Sequence, residues 1–219
     1  MNQRNTRKLL LVILLFSFLF LLNSCFGVNA DIVLNQNGTG TITLVYRISK
    51  ALDSLGRLDG NERWNTIPAG RADFERTLSR LPDMKLVSFT SGEDEKNLIF
   101  TAKMEFASLN GLLAFLDSGG GRSSFSGDAG SGRIVLALGD GTGIKDPGLD
   151  KLVAGISEGY GVTMSMTFPA GGSLALTDNG GKPLQAGSGF VPKGKTVSFS
   201  LPLYDVLASS TGINAEFSW

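Results

Sequence analysis

Residues 30–48 read ADIVLNQNGTGTITLVYRI, and this stretch decides the fold. Apolar side chains occupy every second position from Ile42 to Ile48, with polar or smaller residues between most of them. A period of two places alternate side chains on one face of a β-strand. The preceding Asn37-Gly38 pair tolerates the positive φ that tight hairpin turns need. The stretch therefore predicts an antiparallel hairpin with one apolar face.

The remainder of the chain carries more strands of the same kind. Period-two alternation predicts strands at residues 84–90, 98–106, 162–168, 173–177, 196–201 and 213–219. No strand is a continuous apolar run followed by a long helix, as a parallel nucleotide-binding sheet would require. The sheet is therefore expected to be antiparallel.

Short helices are predicted between these strands. Apolar residues spaced three or four apart indicate helices at residues 49–58, 71–81 and 109–116, and another that opens at Pro147 with Asp146 as its N-cap. In the last helix, Leu149, Leu152, Val153 and Ile156 are expected to face the core. Together these patterns predict an α+β fold in which antiparallel β-hairpins form a sheet covered by short helices.

The amino terminus has the pattern of a secretory signal peptide. Three basic residues precede an uncharged apolar run of 14 residues, positions 9–22. Such a run spans about 21 Å as a helix, which is short of a hydrocarbon core of about 30 Å. The segment is thus expected to be a cleaved signal peptide.

The end of this run, Leu22-Asn23-Ser24-Cys25, resembles the bacterial lipobox. The resemblance implies cleavage between Ser24 and Cys25, followed by attachment of a diacylglycerol to the Cys25 sulfur, and Cys25 is the chain's only cysteine. Two or three acyl chains give stable membrane anchoring, whereas a single chain is marginal. The alternatives are an uncleaved anchor helix with an incidental cysteine, or cleavage after another small residue such as Ala30.

Composition excludes several classes of function. The chain has no histidine, which removes Ser-His-Asp and Cys-His catalysis and histidine-based zinc sites. After residue 24 it holds 17 basic and 20 acidic residues, so its charge gives no reason to expect a nucleic-acid partner. No sequence pattern indicates a cofactor or a metal ion.

Four motifs that suggest chemistry are better explained structurally. The Gly155–Gly159 segment matches G-x-S-x-G, but a helix precedes it and the chain has no histidine to activate Ser157. The sequence GDGTG at residues 139–143 is expected to be a plain loop rather than a phosphate or calcium site. The acidic residues 93–95 are expected to face water, and the arginines between residues 57 and 80 are expected to form a salt-bridged surface.

The mature chain also resembles the envelope lipoproteins of the LppM type. The resemblance is carried by the lipobox cysteine followed by residues 30–44, ADIVLNQNGTGTITL, with a mixed strand and helix domain behind them. It implies a surface-tethered α+β domain that engages lipid or glycolipid, without a known catalytic residue.

These observations divide the chain into three parts. Residues 1–24 are the expected signal peptide, residues 25–29 a lipidated start and short tether, and residues 30–219 the α+β domain. A glycine-rich loop raises the alternative of two subdomains, residues 30–118 and 133–219.

The leading functional hypothesis is a non-enzymatic lipoprotein of the bacterial cell envelope, held on the extracytoplasmic side by the acyl chains on Cys25. Its domain would bind a lipid, a glycan or an envelope protein. A ligand cavity between sheet and helices would be lined by Met104, Phe106, Met164, Met166 and Phe168; the alternative is that these five residues belong to the core. The alternatives are a structural or assembly lipoprotein that exposes an apolar patch or a sheet edge, and a carboxylate-based hydrolase.

Overall fold

A computed structural model describes residues 26–50, 70–117, 121–128, 130–184 and 194–219 of the 219-residue chain. The strands are β1 (Phe26–Leu34), β2 (Gly40–Ser49), β3 (Met84–Glu93), β4 (Asn97–Phe106), β5 (Ser124–Gly127), β6 (Gly132–Gly139), β7 (Gly161–Thr167), β8 (Ser173–Thr177), β9 (Thr196–Pro202) and β10 (Ile213–Ser218). The helices are α1 (Arg71–Leu78), α2 (Leu109–Leu116), α3 (Pro147–Ser157) and α4 (Leu203–Ala208). The predicted α+β class is confirmed.

The strands form two sheets. One has six strands in the order β3-β4-β2-β1-β7-β9, and the other has four in the order β5-β6-β10-β8. The β1–β2 hairpin lies at the centre of the larger sheet, with Ile32 opposite Ile42. Strands β1 and β7 run parallel, with Val28 beside Val162, whereas the other pairings are antiparallel. Strands from both sides of the glycine-rich loop therefore share the six-stranded sheet.

The period-two pattern of the sequence produces one apolar face of the larger sheet. On β2, Ile42, Leu44 and Tyr46 are buried, whereas the side chains between them are half-exposed. The smaller sheet packs on this face through aromatic rings. The ring centroids of Phe199 on β9 and Phe217 on β10 lie 6.3 Å apart. The core therefore lies between the two sheets near the β9 edge of the larger sheet.

Helix α1 covers the same apolar face nearer to β3. Its Phe74 is fully buried, and the Phe74 ring lies 5.8 Å from the ring of Tyr46 and 5.5 Å from that of Phe89. This helix ends at Leu78, three residues before the end expected from Pro82. A tight turn follows, in which the Leu81 amide donates to the Leu78 carbonyl at 2.9 Å.

Two parts of the sequence prediction need correction at the strands. Strand β3 ends at Glu93 and strand β4 begins at Asn97, so the turn between them is shorter than the predicted residues 91–97. The Asp94 carboxylate closes it by accepting the Asn97 amide at 2.7 Å. Strand β5 lies in a segment expected to be loop, because its short and mostly polar sequence gives no period-two signal.

The prediction that helix α3 turns its leucines inward is wrong. Asp146 caps the helix as expected, accepting the Leu149 amide at 2.7 Å. However, Leu149 is 49% exposed and Leu152 is 54% exposed. The buried residue of this helix is Ser157. An apolar stripe predicts a helix, but it does not show whether a protein surface is available to cover it.

Candidate binding cleft

A polar cleft of about 810 Å³ lies at one end of the six-stranded sheet. Strands β1, β4 and β7 begin at this end, and β2, β3 and β9 finish there. Its lining residues come from separate parts of the chain: Gly27, Asn29, Arg47, Lys96, Asn97, Glu158, Gly159, Tyr160, Gly161, Thr163, Ser200, Leu201 and Pro202. This end of the sheet is called the β1-start end below.

The parallel pairing of β1 with β7 places Tyr160 in this cleft. Gly27 leaves room for the ring, because a Cβ there would lie 3.2 Å from Tyr160 Cδ1. The Tyr160 carbonyl accepts the Leu203 amide at 2.9 Å, which ties the start of β7 to the start of helix α4. The tyrosine backbone is therefore fixed by two neighbouring elements.

The Tyr160 side chain is held by a chain of hydrogen bonds. Its hydroxyl donates to Asn97 Oδ1, and Asn97 Nδ2 donates to both carboxylate oxygens of Asp94 at 3.1 Å. Asn97 and Lys96 bonds to the Asp94 carboxylate hold the pKa of Asp94 below its usual range, with the positive charge of Arg47 contributing. The carboxylate therefore stays ionised and acts as a fixed acceptor.

The cleft offers charges of both signs. Arg47, Lys96 and Glu158 are exposed around it. Within the part of the chain that the structure describes, neither Arg47 nor Lys96 forms an ion pair. On the sheet, the hydroxyls of Thr163 and Ser200 lie 3.0 Å apart. Donors and acceptors at this density suit a ligand with several polar groups, such as a sugar or a lipid headgroup.

The predicted lipidation and cleavage residues, Cys25 and Ser24, lie outside the described residues. Strand β1 nevertheless begins at the next residue, and Phe26 pairs with Ile48 of β2. Residues 26–29 therefore form a strand and not the short tether predicted at residues 25–29. The physical reason is that both β2 and β7 offer backbone partners to this segment.

The five residues expected to line a ligand cavity are in the core. Met104, Phe106, Met164, Met166 and Phe168 are each at most 6% exposed. None of them lines the polar cleft. Phe168, for example, packs between sheets with its ring 5.0 Å from that of Trp219. That they contact a ligand stays a prediction.

The G-x-S-x-G segment forms the end of helix α3 and the turn that follows it. Ser157 is 3% exposed, and its hydroxyl has no hydrogen-bond partner among the described residues. Gly159 has a φ of 79°, as expected for a glycine that ends a helix. A buried hydroxyl preceded by a helix does not have the geometry of a nucleophile elbow.

The glycine-rich motif forms a local turn, and the acidic motif takes part in an ion pair. Asp140 accepts both the amide and the hydroxyl of Thr142, at 2.9 and 2.8 Å. Glu93 lies 3.3 Å from Lys50 Nζ. Among the described residues no group of three or more acidic or cysteine side chains is placed to hold a metal ion.

Part of the arginine-rich region is described. Arg71 pairs with Glu75 at 3.2 Å, and Arg76 pairs with Asp73, one turn apart on helix α1. Residues 51–69, which include Arg57, Arg63 and Trp64, lie outside the described part. None of the described helices is long and apolar enough to span a bilayer.

The chain is similar to the folded domain of LppM from Mycobacterium tuberculosis, determined by NMR, with a TM-score of 0.45 and 12% sequence identity. The similarity covers 89% of this chain and 90% of that domain. No protein-family model matches the chain. No curated protein matches it either.

Proposed function

We propose that this chain is a non-catalytic envelope lipoprotein, anchored through Cys25, that binds a lipid headgroup or a glycan in the polar cleft. The observation that supports this proposal most is the position of the cleft. Gly27 lines it, only two residues after the expected lipidated cysteine.

This spacing determines where the cleft would lie. Two extended residues span at most about 7 Å, so the acyl chains on Cys25 would hold the β1-start end of the sheet against the bilayer. The opposite end of β1 would be about 30 Å away, because this strand has nine residues. A ligand that enters the cleft would then come from the headgroup layer or from glycans close to it.

The chemistry of the cleft supports binding rather than catalysis. The chain has no histidine to act as a general base. Two carboxylates lie at the cleft: Glu158 lines it, and Asp94 next to it accepts several hydrogen bonds that lower its pKa, so Asp94 is a poor proton donor near neutral pH. The Tyr160 hydroxyl is engaged with Asn97. These groups are arranged to orient a polar ligand.

The test is native mass spectrometry of the lipoprotein, extracted in mild detergent from its host's envelope. We expect an adduct with the mass of a lipid or glycan. Ser200→Trp places an indole in the cleft and should remove the adduct. Ser88→Trp is the matched control, since Ser88 is also exposed, on β3, but does not line the cleft. An adduct that survives Ser200→Trp would contradict the proposed site.

The alternative is a structural or assembly lipoprotein that works by protein contact. The half-exposed leucines of helix α3 favour it, because an exposed apolar patch is typical of such a surface. A wild-type protein without an adduct, purified together with a stoichiometric envelope protein, would support this alternative and contradict the ligand-binding proposal.

A further inference from the structure

Three half-exposed leucines lie on the two helices α3 and α4. Leu149 is 49%, Leu152 54% and Leu207 50% exposed. Leu149 and Leu152 are three residues apart, so they share one face of α3. These are three of the five large hydrophobic residues that the described part of the chain exposes. They are called the leucine patch below.

Helix α3 ends, and helix α4 begins, at the β1-start end of the sheet. Helix α3 leads into the first residue of β7 through residues 158–160, and helix α4 follows directly from β9. The Leu203 amide at the start of α4 donates to the Tyr160 carbonyl. A second bond joins the helices, from the Tyr204 hydroxyl to Asp150 Oδ1 at 2.8 Å. The leucine patch therefore lies on a hydrogen-bonded pair of helices, each of which has one end beside the cleft.

Two exposed lysines beside the leucines of α3 suit contact with lipid headgroups. Asp146 caps the helix and Asp150 accepts from Tyr204, whereas Glu158 directly after α3 and Asp205 on α4 are exposed. Lys145 and Lys151 are exposed and form no ion pair among the described residues. Lysines beside exposed leucines are typical of a helix at a membrane interface, since their stems lie along the apolar region while the ammonium reaches lipid phosphates.

We propose that the leucine patch inserts into the interface of the same membrane that holds the Cys25 acyl chains. This inference rests on the proposed lipid anchor, because Cys25 directly precedes β1 and leaves the domain no tether with which to move away. The anchor and the patch then form two contacts on one end of the domain. Two contacts fix its orientation, with the β1-start end of the sheet toward the headgroup layer.

The experiment uses the full-length acylated protein in vesicles of phosphatidylcholine and phosphatidylglycerol. Leu152→Cys is labelled with the environment-sensitive dye NBD, and lipids with a nitroxide on the acyl chain are added as quenchers. Gln36→Cys is the matched control, since Gln36 is exposed in the turn at the far end of β1. We expect quenching at position 152 to be several-fold stronger than at position 36.

The chain's single cysteine makes the outcomes separable. Acylation consumes the Cys25 thiol, so an acylated wild-type protein takes up no dye, and its mass shows the lipid directly. If Cys25 is acylated and position 152 is quenched no more than position 36, the leucine-patch inference is overturned and the anchor stands. Blue-shifted dye emission without quenching by the lipid nitroxide would indicate contact with a second protein copy, and would also overturn it. A wild-type protein that takes up dye at Cys25 contradicts the proposed anchor and, with it, this inference.

Discussion

Replacing Ser157 by alanine should stabilise the protein, although most substitutions of buried residues do the opposite. Ser157 is 3% exposed at the end of helix α3, and its hydroxyl has no hydrogen-bond partner among the described residues. Burial of an unpaired hydroxyl costs about 1–3 kcal/mol by mutational data. Alanine also has a higher helix propensity than serine by a few tenths of a kcal/mol. The free energy of unfolding should therefore rise by about 1 kcal/mol or more.

The assay is urea unfolding with a thermal melt on the same samples. For a domain of this size about 1 kcal/mol corresponds to a rise of about 2–4 °C in Tm, and the urea m-value should not change. Ser108→Ala is the matched control with the opposite sign. Ser108 caps helix α2 by accepting the Gly111 amide at 3.0 Å and donates to Asp83, so its loss should cost about 1 kcal/mol.

A fall in stability for Ser157→Ala comparable to that for Ser108→Ala would refute the reasoning. Such a fall would mean that the Ser157 hydroxyl forms a stabilising hydrogen bond in the protein in solution. Ligand binding gives a second readout, because Ser157 does not line the cleft. The adduct seen for the wild-type protein should therefore be unchanged in Ser157→Ala.

Three further predictions concern the sheets and the turn beside the cleft. Phe217→Ala should lower the free energy of unfolding by about 3–5 kcal/mol in urea, since this fully buried ring joins the two sheets. Gly40→Ala should cost about 1–3 kcal/mol or more, because its Cβ would lie 2.1 Å from a carbonyl oxygen of β1; Gly92→Ala, with nothing within 4 Å, is the control, and equal losses for the two would contradict the argument. Hydrogen bonds from Asn97 and Lys96 lower the pKa of Asp94 in the folded protein below its ordinary value of 3.8. The stabilisation by the ionised carboxylate is therefore present above pH 3.8 and is lost as the pH falls through the lower pKa of the folded protein. Acid unfolding followed by circular dichroism should accordingly show a smaller loss of stability for Asp94→Asn than for the wild type, and identical acid profiles would disprove it.

Local sequence patterns predicted the strands well where one face is buried. The β1–β2 hairpin follows from alternation and from the Asn37-Gly38 turn, in which Gly38 has the expected positive φ of 80°. Helix α3 likewise begins where Asp146 and Pro147 indicate. In each case the residues that determine the element are adjacent in the chain, so a short window contains the whole signal.

The cleft was not predictable in the same way. Gly27, Lys96, Tyr160 and Ser200 meet only because β1 pairs in parallel with β7, and a single sequence does not specify pairing between distant strands. The methionines that suggested a cavity lie in the core and do not line this cleft, so apolar residues gave no indication of it. A polar binding site has no periodicity, and its residues look like ordinary surface residues until the sheet is assembled.

The exposed leucines of α3 show a second limit. The spacing of Leu149 and Leu152 predicts the helix correctly, but it is the same whether the stripe faces a protein core, a partner or a membrane. The difference depends on what lies opposite the helix in three dimensions. In this protein the leucine stripe of α3 lies on the outside of the domain.

The central claim is that the domain is anchored through Cys25 directly before β1. The measurement that tests it most directly is mass spectrometry of the amino-terminal peptide of the mature protein, isolated from the membranes of its host. The account predicts that Cys25 is the first residue and carries a diacylglycerol on its sulfur. A mature chain that begins downstream, for example after Ala30, or that keeps an unmodified Cys25 would contradict it.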